Sequence, residues 1–230
     1  FCSLVYADPS KVSSLNDYLD IMHQWTERIQ SSPAAIERSV YEVIGKEYRS
    51  SRVSNIELRF NPMKRNRGGE RDLDHIIMAA VRGLDRAGLE YPRVRAGLIL
   101  MMDRTFTREQ NMIVVEKAGV FASRGVVGVD IAGPRPGGAR YDYTQIQDHV
   151  EFARELGLGV TIHVGEEGGR HGIDEIREVV ESLRPDRIGH GILAAQDVEL
   201  MGLLRESDTT LEICPSSNLL TKALADEDAV

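Results

Sequence analysis

Cysteine is scarce in this chain of 230 residues, with only Cys2 and Cys214 present. Far apart in sequence, they offer neither a disulfide framework nor zinc-finger spacing, and a reducing cytoplasm is the expected compartment. No run of about 18 apolar residues occurs, so nothing reads as a span of a bilayer. The opening "FCSLVYADPS" lacks a basic stretch and an apolar stretch, which excludes a secretory signal there. A first residue of Phe rather than Met is consistent with a fragment. Positive charge is also short: the formal net charge is −8. That balance argues against a nucleic-acid backbone or an anionic membrane as partner. The basic "KRNRGG" at 64–69 is too brief to reverse it and reads as a solvated loop. Repeats at solenoid periods, low-complexity tracts and Pro/Ser-rich linkers are absent too.

What remains is an alternation of amphipathic helices and short apolar strands. Leu15, Tyr18, Leu19, Met22 and Ile29 fall on one helical stripe. Ser32 and Pro33 supply N-cap and first-turn residues for a second helix striped by Ile36, Val40, Val43 and Ile44. Strands are expected at 53–60, 94–102, 126–133, 159–166, 187–192 and 209–215. Between them fall a helix near 72–87 closed by Gly88, one capped by Thr107 and Gln110, and one striped by Ile146, Val150, Ala153 and Leu156. Further helices follow at Ile173–Leu183 and near 196–206. Apolar strands separated by helices point to a parallel sheet covered by helices. The first strand is followed by "NPMKRNRGG", which lacks the glycine fingerprint of a doubly wound dinucleotide fold. Polar residues instead collect at C-terminal strand ends: Asn61, Asp103, Asp130, His163, Glu166, His190 and Asn218. A (β/α)8 barrel of the TIM type builds its active site there. We expect one barrel domain over residues 1–230, with six of eight strands visible and both ends incomplete.

Strand alternation turns Thr161, His163 and Gly165 to one face, with Glu166 opening the loop. A metal-ligating histidine beside a general acid or base is one reading; a core histidine beside a solvated carboxylate is the other. His190 stands between Gly189 and Gly191, which suggests close approach of a ligand or backbone, or a tight turn. Gly133 either offers a backbone N–H to a ligand or forms a turn before Pro134. Asp130 either orients a ligand histidine or bonds loop amides. His23, His75 and His149 lie within helices, and His171 and Glu167 on solvated loop. Trp25 and Tyr18 read as helix packing, and Cys214 as a small buried hydrophobe.

In this order, these segments resemble the adenosine deaminase family of the amidohydrolase superfamily. "TIHVGE" is similar to its H-x-G-E motif, "DRIGHGI" to R-I-G-H-G, and "LEICPSSNL" to E-x-C-P-x-S-N. "VVGVDIAGP" resembles the strand bearing a substrate-facing glycine, and "NIELRFNP" an early strand of the form V-E-x-R-x-x-P. The resemblance implies that His163 is a zinc ligand and that Glu166 protonates N1 of a purine. It implies that His190 orients or activates the zinc-bound water, and that Gly133 donates its N–H to the purine. Zinc would then generate the nucleophile for C6 of a 6-aminopurine, releasing ammonia. The implied activity is hydrolytic deamination of adenosine, with adenine, adenosine phosphates or aminofutalosine-type compounds as alternatives. A silent barrel homologue that only binds is the reading from another class. Two family features have no counterpart: the early H-x-H pair and the aspartate pair of the last strand. Asp226, Glu227 and Asp228 read as a helical or loop run rather than as that pair. Arg135 stands where many relatives carry glutamate, and either answers a carboxylate or phosphate on the substrate or faces solvent. No strand-end lysine suggests a Schiff-base lyase or aldolase.

Overall fold

Local capping signals set the helix starts. In this computed structural model, which describes residues 8, 12, 14–135, 139–166 and 170–224, the Ser32 side chain accepts from the Ala35 N–H and Pro33 sits in the first turn. Thr107 and Gln110 form the full reciprocal capping box. In chain order the elements are α1 (Leu15–Ile21), α2 (Pro33–Ser51), β1 (Asn55–Phe60), α3 (Leu73–Glu90), β2 (Arg95–Asp103), α4 (Arg108–Val120) and β3 (Val126–Ala132). Then come α5 (Gln147–Glu155), β4 (Gly159–Val164), α6 (Arg170–Leu183), β5 (Arg187–His190), α7 (Val198–Glu206), β6 (Thr210–Glu212) and α8 (Pro215–Leu220). Calls on Cys2, Glu167, Asp226, Glu227 and Asp228 lie outside the described residues.

The six strands form one sheet in the order β1-β2-β3-β4-β5-β6, every neighbouring pair parallel. Alternation divides each strand between two environments. Leu98, Leu100, Val129, Ile131, Val160, Ile162, Val164 and Ile188 pack in one core with Ile76 and Ile77 of α3, Val114 of α4, Val150 of α5 and Ile176 of α6. Each such buried side chain contributes about 1.5–3 kcal/mol relative to exposure. The alternate positions, among them Glu57, Arg59, Asp130, His163, Arg187 and Glu212, turn to the opposite face. There Arg59 of β1 pairs with Glu212 of β6, and Arg187 of β5 with Glu57 of β1. In a flat sheet β1 and β6 would stand about 24 Å apart, five steps of about 4.8 Å, beyond the reach of one arginine. The sheet is therefore curled, with helices outside and a charged interior. This is the wall of a parallel β/α barrel, and all six expected strands are present.

Several local expectations fail for identifiable reasons. α3 runs through Gly88 to Glu90, and Tyr91, buried at its end, donates its N–H to Ala87. The stripe from Leu15 to Ile29 is broken by a π-helical turn, Met22–Thr26, which shifts the helical phase. Met22, Trp25 and Ile29 are exposed in consequence, so Trp25 is not a packing residue among the described residues. "KRNRGG" is not merely a solvated loop: Arg65 is buried against Glu27 at 3.0 Å, and Lys64 pairs with Asp103. His149 is buried, its Nδ1 on Asp148 and its Nε2 on the Arg108 carbonyl. Cys214 is exposed just past the three-residue edge strand β6, not buried. No described helix is long and apolar enough to cross a membrane.

Candidate active site

The polar residues cluster at and just past the C-terminal ends of the strands, from β1 to β6. Asn61, Asp103, Asp130, Glu166, His190 and Asn218 are all buried, and the His163 side chain is 16% exposed. His163 points into the interior from β4, and its Nδ1 lies 3.0 and 2.9 Å from the two oxygens of Asp130. Burial works against charge on His163, but Asp130 outweighs it and raises the imidazole above its ordinary value. Burial likewise pushes the Asp130 carboxyl up, while His163, Arg59 and Arg104 bring it below the usual carboxylate range. Asp130 thus orients His163, which decides between the two readings of that aspartate.

With Nδ1 committed, Nε2 is the nitrogen left for a ligand. The Arg59 Nη1 lies 3.4 Å from Nδ1 and 3.5 Å from Nε2. Near-equal spacing from both nitrogens places it between them and off the Nε2 axis. A histidine held by a carboxylate through its other nitrogen is the usual outer-shell arrangement of a metal ligand. His163 fits one corner of a zinc site. A catalytic zinc normally takes three protein ligands. Among the described residues no group of three His, Cys, Asp or Glu is placed to hold a metal.

His190 reaches the site by a backbone device. Register pairs it with Val164, an outward position, so alternation alone would turn it toward the helices. Its φ of 67° places it in the left-handed region, and Gly191 follows at 66°. Bulky residues pay roughly 1–2 kcal/mol for that conformation. Such strain concentrates at functional positions. The His190 ring stands 5.5 Å from that of His163, centroid to centroid. Its Nδ1 is 3.3 Å from the Asn218 Oδ1, and its Nε2 is 3.4 Å from the Glu166 Oε2. Burial lowers its pKa, so it rests neutral. Its flanking glycines have separate purposes: Gly191 takes the left-handed turn, and Gly189 makes room for His163. A Cβ at Gly189 would lie 2.6 Å from the His163 Nδ1.

Glu166 does not swing free over the mouth. It is 4% exposed, and its Oε1 accepts from Arg104 at 2.9 Å. Burial would raise its carboxyl, yet Arg104, His163 and His190 draw it below its ordinary value. Gly133 directly follows β3 with φ 101°, and a Cβ there would lie 2.6 Å from the Asp103 Oδ2. Only glycine fits both conditions. Arg135 faces neither solvent nor an open pocket. It is buried and binds Glu175 of α6 through two parallel bonds of 2.7 and 2.6 Å.

Sequence reasoning brought His163, Glu166, His190 and Gly133 forward, and the structure gathers His163, Glu166 and His190, with Gly133 one Arg104 bond from Glu166. It missed Arg104, Arg59 and Glu175. Their side-chain partners lie 29 to 153 residues away in sequence, so no local spacing pairs them.

Comparison with known proteins identifies the family and the fold. A family model for adenosine deaminase matches residues 5–230. An adenosine deaminase of Clostridium perfringens (strain SM101 / Type A) is 32% identical over 213 residues, covering 92% of this chain and 61% of that protein. The crystal structure of Arabidopsis ADAL complexed with IMP has a TM-score of 0.77 at 25% identity, over 94% of this chain and 62% of its own. For the fold alone, a Burkholderia amidohydrolase crystallised with bound Zn has a TM-score of 0.80 at 20% identity, over 98% of this chain and 59% of its own. The chain spans about three fifths of the length of the relatives it matches. On the extent of the family match and the relatives' identity, this chain belongs to the adenosine deaminase family.

Proposed function

We propose that this chain carries the central part of a zinc-dependent enzyme that deaminates adenosine or a related 6-aminopurine by hydrolysis. The observation that carries the reading is the cluster of His163, held by Asp130, with Glu166 and His190 on adjoining strand ends. His163 would offer Nε2 as one zinc ligand, and a catalytic zinc would need further ligands besides it. Bound there, zinc would lower the pKa of water toward neutrality.

The chain's own residues handle the protons. Donating Nδ1–H to Asn218 leaves the His190 Nε2 as an acceptor, neutral at rest, for a proton from the attacking water. Glu166 rests ionised, and its Oε2 is 3.4 Å from that same nitrogen. The water proton passes by way of His190 to Glu166 and from there to N1 of the purine as oxygen bonds to C6. The second water proton, left on the C6 oxygen, then passes by way of His190 to the amino nitrogen; the C6–N bond breaks, C6 becomes a carbonyl and ammonia leaves. Gly133 directs its N–H to the purine.

A 6-aminopurine nucleotide is the second reading, because the ADAL relative is complexed with IMP. Arg135, committed to Glu175, is not the group that would recognise its phosphate.

His163→Ala is expected to lose both zinc and ammonia release from adenosine, measured in the full-length protein by elemental analysis and a coupled ammonia assay. Stoichiometric zinc in that variant would remove His163 from the ligand set. Gly189→Ala is expected to weaken zinc binding roughly 10- to 100-fold, since the new methyl pushes the imidazole off its Asp130 partner. Competition with a chelator measures this, and unchanged affinity would mean that the ring does not depend on that space.

A further inference from the structure

Arg104 directly follows β2, and its side chain has no solvent exposure. It bonds to groups at the C-terminal ends of both β3 and β4. Its main-chain N–H donates to the Ala132 carbonyl at 3.0 Å. Nη1 donates to the Gly133 carbonyl at 2.7 Å and to the Glu166 Oε1 at 2.9 Å. Nη2 donates to the His163 carbonyl and, at 3.4 Å, to the Tyr143 hydroxyl. Tyr143 in turn donates to the same His163 carbonyl at 3.1 Å.

The peptide planes on both sides of Gly133 are therefore fixed by one residue. A planar trans peptide with its carbonyl pinned has its N–H pinned on the opposite side. The Ala132 carbonyl turns to Arg104 at the end of β2, so the Gly133 N–H is directed to the β4 side, where His163 stands. An ion pair alone would need only the Glu166 carboxylate. The other side-chain acceptors are main-chain or hydroxyl oxygens: Gly133 just past β3, Tyr143 ahead of α5 and His163 near the end of β4. A guanidinium presents five N–H donors in a rigid fork, whereas an ammonium presents three on a flexible stem.

We propose that Arg104 is a positioning residue that holds the Gly133 peptide and the Glu166 carboxylate in one fixed relation, so that a purine meets N–H donor and proton donor together. This rests on the roles given above to Gly133 and Glu166. The test is Arg104→Lys in the full-length, zinc-loaded protein, which keeps the charge and loses the fork. The expected result is kcat lower by about 10²-fold, the loss typical of a 1 Å misplacement, with KM nearly unchanged and zinc retained. Combined with Glu166→Gln, the loss falls well short of the product of the two single losses, as for groups acting as a unit. A full product, or an unchanged kcat, overturns the proposal.

A crystal structure of Arg104→Lys reads the same point without activity. The expected result is a Glu166 carboxylate and Gly133 peptide displaced from their wild-type places, and unmoved groups overturn the proposal. Displaced groups in a protein whose wild type deaminates no purine would uphold the positioning and sink the deaminase reading instead. Should Arg104→Lys not fold, Tyr143→Phe removes the hydroxyl that Arg104 and the His163 carbonyl share. It is expected to lower kcat about tenfold with little change in KM, a loosening smaller than that of the fork itself. An unchanged kcat there overturns the proposal.

Discussion

Glu166→Gln is expected to cut turnover of the deaminated purine by about 10²-fold or more while zinc stays bound. Glutamine keeps the shape of the side chain but cannot accept a proton from His190 and pass it to N1. Two other effects of the change need separating from this one. First, Arg104 is left without its carboxylate, and a buried charge without a partner is costly. Second, that cost is moderated because Arg104 keeps its bonds to the carbonyls of Gly133 and His163 and to Tyr143. The variant should therefore fold, less stably, and remain loaded with metal. Zinc content, a denaturation midpoint and kcat measured on one preparation distinguish a lost proton path from a damaged fold. Near-normal turnover would take Glu166 out of the acid–base role.

The second large effect concerns stability. Arg135→Ala strips Glu175, 1% exposed, of its bidentate partner. Breaking a buried pair from one side typically costs about 3–5 kcal/mol. The lower end is expected, because Arg140 stands 3.9 Å from the same carboxylate and takes up part of its charge. A loss of about 3 kcal/mol corresponds to a fall in Tm of roughly 6–12 °C for a domain of this size. The paired change Arg135→Met with Glu175→Leu should recover most of it, since an apolar pair carries no desolvation penalty. Denaturant titration of the three variants measures both effects. A shift within about 0.5 kcal/mol for Arg135→Ala would mean that the pair is not a structural clamp. The bond it makes joins the turn after Gly133 to α6, so an arginine at this position fastens the loop to the barrel.

How far the sequence reaches depends on whether a signal is local. The caps at Ser32 and Thr107 are made by residues three apart, and both are read correctly from the chain. So is the inward direction of His163, because alternation along an apolar strand determines it. His190 is recognisable as a candidate from its glycine neighbours, but not its direction. Alternation predicts an outward ring, and only the φ of 67° turns it in. The stripe beginning at Leu15 fails for a related reason, since a π turn changes the period on which the stripe depends. Gly88 has the look of a helix stop, yet the helix continues because Tyr91 finds a buried place beyond it. Arg104 and Arg65 were unreadable as site residues, and Arg59 showed only as the arginine of the early-strand motif, with no partner assigned to it. Whether in a strand, after one or in a short turn, an arginine reveals no partner until the fold supplies acceptors from β3, β4, β6 or the first helical segment. Buried ion pairs are set by tertiary geometry, and sequence spacing says little about them.

The most direct test of the central claim is a paired measurement on the full-length protein: zinc per chain, and ammonia released from adenosine, AMP and adenine. The account predicts about one zinc per site and ammonia from at least one of these 6-aminopurines, both lost in His163→Ala. A correctly folded protein that binds no zinc and releases ammonia from none of them would contradict it.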